Sequence, residues 1–318
     1  MIAPPLGGLI VTAASWRWIF FINVPPGLLA LWLAARVMPA ERAGTPRPFD
    51  ARGFALVGSA LLAALSDVEL MGREHVDWPL VGACAAAATV LGLPAWRHLG
   101  RHPAAILRLD GFASRSFAVC MRGGTGFRVA VGAVPFLLPL LFQVGFGLDA
   151  VRSGLLLLAL FLGNVGMKPL TSAVLRRFGF KRTMAGNAVL AAAAILLLAA
   201  LSPATPLFAT LPILAFAGAT RSMGLTTINT LAFADIAPAA MGDANTLFNM
   251  GQQLGFGFGV ALGALALRAA ELWRPAGAAH ATVAEFRLAF ALVGVAALLA
   301  AADALRLPAG AGAEVARG

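Results

Sequence analysis

Long apolar runs recur along almost the whole chain and limit its fold more than any other feature of the sequence. Residues 19–38 form one such run, long enough for about 30 Å of helix and therefore for one membrane crossing. Comparable runs follow at residues 54–71, 78–96, 117–144, 153–174, 183–201, 207–233, 246–269 and 286–305. Hydrophobic residues make up 60% of the chain and charged residues 12%, which is more apolar surface than a water-soluble protein of this length could bury. The sequence predicts an all-α, polytopic membrane helix bundle.

The first apolar run, residues 1–14, is shorter than the others and differs from them in composition. At about 1.5 Å per residue it spans roughly 21 Å, too little for a comfortable crossing. Its first residues include Pro4, Pro5, Gly7 and Gly8, and so many prolines and glycines are a poor start for a helix. We interpret this run as the end of a helix whose beginning is missing. The predicted bundle is then incomplete, with about nine full transmembrane helices and one partial helix.

The net charge of +10 comes from basic residues that separate the apolar runs instead of clustering on one face. This distribution is typical of the loops of a membrane protein and argues against nucleic acid as a partner. If the loop after residue 38 is cytoplasmic, most of the basic residues fall in cytoplasmic loops, as the positive-inside rule requires. We therefore expect a multi-pass protein of the inner (plasma) membrane, surrounded by the lipid bilayer, with its C-terminus in the cytoplasm.

The chemistry of soluble enzymes finds little support in the sequence. The four histidines, His75, His98, His102 and His280, all fall in predicted loops. The spacing of His98 and His102 lacks the glutamate of a zinc-protease helix. No Ser/His/Asp arrangement stands out. We expect no enzyme activity, no catalytic residue, no metal site and no cofactor.

Several short motifs resemble those of one transporter family. Residues 3–8 are similar to the end of a fifth-helix antiporter motif, G-P-x-x-G-G, with Ala3 in place of the usual glycine. Residues 15–25 are similar to the entry into that family's sixth helix. A basic run resembles the cytoplasmic loop motif D-R-x-G-x-K/R, with a basic residue in the acidic position; it comprises Arg176, Arg177, Gly179, Lys181 and Arg182. The chain resembles the 14-helix drug:proton antiporters of the major facilitator superfamily over essentially its whole length.

The resemblance implies two six-helix halves that enclose a central cavity and rock to open it to either side of the membrane. Residues 1–38 would then be the end of the first half, and residues 39–115 a cytoplasmic loop, two linker helices and a basic loop. Residues 116–306 would form the second half, and residues 307–318 a disordered tail. Half of the cavity would not be encoded in this sequence.

Cations inside the apolar runs are the first candidates for substrate-binding residues, because a charge in hydrocarbon costs at least a few kcal/mol. We expect Arg128 and Arg221, which lie deep in their runs, to line the cavity. Arg122 could instead extend to the cytoplasmic headgroups. Lys168 could do the same, or it could bind carbonyl groups freed by Pro169.

Neutral residues give weaker signals. Gln143 and Asn229 could bind a substrate, although a hydrogen bond to a neighbouring helix is the commoner use of such side chains. One run carries a glycine at every fourth position, which predicts a smooth stripe for close helix packing and not a ligand site; its members are Gly251, Gly255, Gly259 and Gly263.

The sequence supports two functional hypotheses. The first is a secondary transporter that exports drugs or other small amphipathic organic compounds by alternating access, with protons as the coupling ion. The second is a non-transporting remnant, or a helix bundle that has to assemble with a separate first half.

Overall fold

The computed structural model describes residues 17–37, 48–71, 73, 76–102, 105–271 and 281–304. Within these residues every regular element is helical, and the main helices are α1 (Trp18–Phe21), α2 (Val24–Val37), α3 (Ala51–Met71), α4 (Trp78–Arg101), α5 (Arg115–Leu140), α6 (Ala150–Ala199), α7 (Leu207–Phe233), α8 (Met241–Glu271) and α9 (Val283–Ala304). Five helices of the described chain are long and apolar enough to cross a membrane, namely α3, α4, α5 with its last turn, α6 and α8. The predicted all-α membrane helix bundle is confirmed. Pro4, Pro5, Gly7, Gly8 and the predicted tail, residues 307–318, lie outside the described residues.

Helices α1 and α2 replace the single helix predicted for residues 19–38, so that prediction was wrong. The chain turns at Ile22 and Asn23, and α2 begins at Val24. Pro25 and Pro26 have no N–H group to donate to a preceding turn, so a helix can begin at them but cannot run through them with its hydrogen bonds intact. Helix α2 has 14 residues and buries none of them.

Helix α6 contains the largest departure from the predicted helix ends. The sequence predicted an eight-residue basic loop between residues 174 and 183, but the backbone there is helical except at Gly179. Gly179 has φ of 71° and ψ of 167°, a conformation that only glycine adopts without strain. We call residues 150–178 the first arm of α6 and residues 180–199 its second arm. The predicted loop is therefore two helix ends joined at one residue.

The core lies where α5 packs against α7, α8 and α9, and where both α7 and α9 pack against α6. Helix α5 is the most enclosed, and its last turn widens into a π-helical turn at Leu141–Gly145. Helices α3 and α4 pack on each other, and α3 also contacts α8. Large apolar side chains on their outer faces are exposed, including Leu62, Val90 and Leu93. Such a surface suits a lipid environment, because lipid tails are as apolar as these side chains.

Candidate substrate site

Two arginines inside the bundle face aromatic rings of the same helix, α8. Arg128 of α5 is 0% exposed, and its Cζ lies 4.6 Å from the centre of the Phe248 ring. Arg221 of α7 is half-buried, and its Cζ lies 5.7 Å from the centre of the Phe256 ring. A cation over an aromatic face contributes about 2 kcal/mol or more when it is removed from water. Helix α8 therefore helps to hold both cations inside the bundle.

Both guanidinium groups keep donors without an acceptor. Nη1 of Arg128 donates to the carbonyl oxygen of Cys120 at 3.2 Å. Its Nε and Nη2, and the Nε of Arg221, are buried and have no hydrogen-bond partner in the described part of the chain. The ion pairs found there involve other residues. A buried unpaired donor costs about 1–3 kcal/mol, and more when it is charged. These groups are therefore able to bind an anionic or carbonyl oxygen that reaches them.

Glycines provide the space that Arg128 occupies. A Cβ atom at Gly255 would lie 2.9 Å from the Cβ of Arg128, and one at Gly124 would lie 3.2 Å from its Nη1. The other glycines of the α8 stripe also face α5, with side chains or backbone of that helix next to Gly251, Gly259 and Gly263. The stripe thus lies in the α5–α8 contact, and one of its members also makes room for a candidate functional side chain.

The other predicted cavity residues do not join this pair. Gln143, Lys168 and Asn229 are exposed. Arg122 is exposed as well and lines a separate cavity of about 320 Å³ near the end of α4, together with Trp96, Leu109, Phe112 and Met121. Of the predicted cavity residues, only Arg128 and Arg221, which lie deepest in their apolar runs, face aromatic rings of α8 inside the bundle. Sequence reasoning missed the aromatic partners Phe248 and Phe256, although both stand in the glycine-rich run of α8.

Arg221 also borders a very small internal space. That cavity has a volume of about 10 Å³ and is lined by residues of α5, α6 and α7, including Val134, Ala191 and Thr220. Its size is at the lower limit for a single water molecule. Among the described residues, the cavity that Arg221 lines is too small for an organic substrate, so binding one there requires the helices to move.

A polar cluster at Asp50 connects α3, α4 and the segment before α5. The buried Asp50 carboxylate accepts hydrogen bonds from the N–H groups of Gly53 (2.8 Å) and Ile106 (3.2 Å). Nε2 of His98 lies 2.9 Å from Oδ1 of Asp50. The hydrogen bond from Gly53, followed by those from His98 and Ile106, lowers the pKa of Asp50 to about 2. His98 belongs to the last turn of α4, so the prediction that it lies in a loop was wrong.

The same cluster contains three groups that are able to bind a metal ion. One ligand atom from each of Asp50, His98 and His102 lies within 4.8 Å of the others. The imidazole rings of His98 and His102 are stacked, with their centres 4.8 Å apart. The carboxylate already accepts three hydrogen bonds, two of them from the backbone. A metal ion would have to displace contacts that cap α3, so we interpret the cluster as a structural connection.

Replacing this carboxylate is expected to destabilise the protein in a pH-dependent way. The folded-state pKa of Asp50 is lowered, so its stabilising effect is fully present above about pH 4 and is lost as the pH falls towards about 2. We expect Asp50→Asn to lower the melting temperature in detergent at pH 7, and the difference from the original protein to shrink near pH 3. Asp110→Asn, at an exposed ion pair with Arg108, is the control and should change little. A pH-independent difference would contradict this assignment.

The long apolar helices and their exposed apolar faces define an integral membrane protein of the helix-bundle class. The family model described as Major Facilitator Superfamily matches residues 1–260. The chain belongs to the major facilitator superfamily, and the resemblance predicted from its motifs is confirmed.

Individual relatives agree with this membership. A protein of Haemophilus influenzae named as the transport protein HsrA is 33% identical over 267 residues, which are 84% of this chain and 58% of the relative. A protein of Pectobacterium atrosepticum named as multidrug resistance protein MdtD is 30% identical, covering 84% of this chain and 57% of the relative. A protein of the same name from Klebsiella pneumoniae is 31% identical, with 84% and 56% covered. The chain thus spans little more than half the length of these curated relatives.

Proposed function

We propose that the chain takes part in proton-coupled export of drugs or other amphipathic organic compounds across the inner membrane. The observation that carries the proposal is that Arg128, which is fully buried, and Arg221, which is half-buried, keep buried unpaired donors inside a membrane helix bundle. Charged groups at such positions in membrane proteins mark substrate or ion pathways. The names of two relatives, which refer to multidrug resistance, support the substrate class.

The proposed mechanism is alternating access, in which α8 moves against α5 and α7. The Phe248 and Phe256 rings hold the two cations in the closed arrangement. The glycine stripe lets α8 lie close to α5, with the side chains of Met121, Arg128 and Phe136 seated against it. A shift along this contact therefore moves Arg128 relative to α8. Such a shift would open the enclosed guanidinium groups to an oxygen atom of the substrate or to a carboxylate that exchanges protons.

The domain division and orientation form part of the proposal. We assign residues 1–38 to the end of the first half, residues 39–115 to the linker region and residues 116–306 to the second half. The C-terminus is cytoplasmic, which the distribution of Lys and Arg supports.

A second candidate function is that of a bundle that transports only with a separate first half. It is favoured by α2, which buries none of its 14 residues against the described bundle.

Dye efflux tests the proposal. Cells that express the 318-residue chain, with membrane insertion verified, are loaded with an amphipathic fluorescent dye that carries a carboxylate and followed over time. We expect extrusion that exceeds the empty-vector control and stops when a protonophore is added. Insertion without extrusion would exclude transport by this chain alone. Efflux restored by co-expression of a first half would then establish the second candidate.

A further inference from the structure

A second, separate groove opens at the surface of the bundle between the two arms of α6 and α7. Its volume is about 450 Å³, and its walls are largely apolar, formed by Met167, Val174, Phe178, Leu190, Phe216 and Met223. Neither Arg128 nor Arg221 lines it. The groove therefore does not contain the two arginines of the candidate substrate site, although Thr220 borders both this groove and the small cavity at Arg221.

The groove has about the depth of one lipid leaflet. Arg182 and Leu190, at its two ends on the second arm, are separated by about 12 Å of helix. Met167 and Phe178 are separated by about 16 Å along the first arm. The hydrocarbon of a single leaflet is about 15 Å thick, half of a bilayer core. An acyl chain that follows the groove would therefore reach from the break at Gly179 towards the membrane centre.

The rim of the groove is strongly basic. Arg182 lines it and is exposed, and Arg176, Arg177 and Lys181 lie within six residues of it along the chain. None of these four residues forms an ion pair in the described structure. The sequence contains no Asp or Glu between Asp149 and Asp235. The segment that contributes Arg182 to the groove is therefore basic throughout, and such a segment attracts anionic lipid headgroups when it lies at the membrane surface.

A buried hydroxyl group next to the rim has no acceptor. Thr183 lines the groove and is 7% exposed, and its Oγ1 has no hydrogen-bond partner among the described residues. The neighbouring polar residue, Asn187, already donates its Nδ2 to the carbonyl oxygen of Thr220 at 3.0 Å. Because buried polar groups in proteins are normally paired, the Thr183 hydroxyl is a donor available to a bound ligand.

We propose that this groove binds an anionic phospholipid. One acyl chain lies along the apolar walls, the phosphate contacts Arg182, and the Thr183 hydroxyl donates to a phosphate or ester oxygen. Gly186 gives the groove its width, since a Cβ atom there would meet nothing within 4 Å. Free phosphate lacks the acyl chain and would contact only the basic rim. A zwitterionic lipid would contact mainly the apolar walls, because its headgroup carries no net negative charge.

Lipid retention measured by native mass spectrometry tests the site. The purified 318-residue chain in neutral detergent is titrated with phosphatidylglycerol and with phosphatidylcholine of identical acyl chains. For each cation that contacts the headgroup, we expect phosphatidylglycerol to be retained about fivefold more tightly than phosphatidylcholine. Arg182→Gln should remove most of this preference and Arg182→Lys should keep it. Gly186→Leu should weaken retention of both lipids by filling the groove.

Matched controls separate this site from unspecific lipid binding. Gly166→Leu is the control for the filled groove, because a Cβ atom at Gly166 also meets nothing within 4 Å but this residue lies outside the groove. Arg122→Gln is the control for charge, because Arg122 is exposed at a different cavity. Glycerol phosphate should not displace the lipid. Equal retention of both lipids, or an unchanged preference in monodisperse Arg182→Gln protein, would overturn the proposal.

Discussion

Gly218→Ala is expected to prevent α6 and α7 from packing and to remove most of the folded protein from the membrane. A Cβ atom at Gly218 would overlap the backbone carbonyl oxygen of Leu160, and one at Gly163 would overlap that of Ala215. The two glycines thus form a reciprocal contact in which each helix backbone lies against the other. Backbone atoms on both sides cannot yield as a flexible side chain can. We expect a destabilisation of about 3 kcal/mol or more for either alanine, at the upper end of the overpacking effects known for protein cores.

Gly166→Ala is the matched control on the same helix as Gly163. A Cβ atom at Gly166 would meet nothing within 4 Å, and alanine is favoured over glycine in a helix by about 1 kcal/mol. The control should therefore be neutral or slightly stabilising, opposite in sign to Gly163→Ala. Expression and melting temperature, followed by fluorescence-detected size exclusion, measure both effects. Equal behaviour of the two variants would show that the close α6–α7 contact is absent from the folded protein.

The apolar runs predicted most helices well because each run is long enough to cross a membrane and ends at polar residues. The run 207–233 has the same bounds as α7, and the run 78–96 begins where α4 begins. The basic residues around Gly179 predict a cytoplasmic loop, but the backbone is helical on both sides of Gly179. Their long side chains can also extend from helix ends at the headgroup level. Only the positive φ of Gly179 interrupts the helix.

The sequence also shows where glycines stand but not what they face. Gly163 and Gly166 are three residues apart on one helix, yet only Gly163 touches another backbone. Which of them does so depends on how the helix is rotated, and this is set by packing across the whole bundle. The lipid groove was missed for the same reason, since its lining comes from three helical segments that are separate in sequence.

For the candidate substrate site, the cost of a buried charge predicts Arg128 and Arg221 as cavity residues; the structure places both inside the bundle, and their role in binding stays a prediction. The same reasoning also selected Lys168, which the structure leaves exposed. An apolar run of α6 that faces lipid cannot be distinguished by composition from one that faces protein, because both surroundings are apolar. The pairing of each buried arginine with a phenylalanine of α8 depends on helix contacts that no local pattern encodes.

Arg128→Met is expected to stabilise the protein and to abolish most of the dye efflux proposed for it. The substitution removes two buried donors that have no partner in the described structure, each of which costs about 1–3 kcal/mol. It also removes the cost of holding a charge in hydrocarbon, which is at least a few kcal/mol. Against these gains stand the lost interaction with the Phe248 ring, about 2 kcal/mol, and the lost hydrogen bond from Nη1 to the carbonyl oxygen of Cys120. We expect a net stabilisation of about 1–3 kcal/mol, seen as a higher melting temperature in detergent. Transport should fall about tenfold or more, because hydrogen bonds from a charged donor contribute about 1.5–3 kcal/mol.

The opposite signs of these two effects distinguish a functional arginine from a structural one. If Arg128 served only to hold α5 against α8, Arg128→Met would lower both the melting temperature and the dye efflux. If it binds substrate or a proton-exchanging carboxylate, stability rises while efflux falls, and Arg128→Lys recovers part of the efflux because it keeps the charge without the planar donors. Arg122→Met at the exposed position is the control and should leave both quantities nearly unchanged. Full efflux in Arg128→Met would remove this residue from the transport pathway.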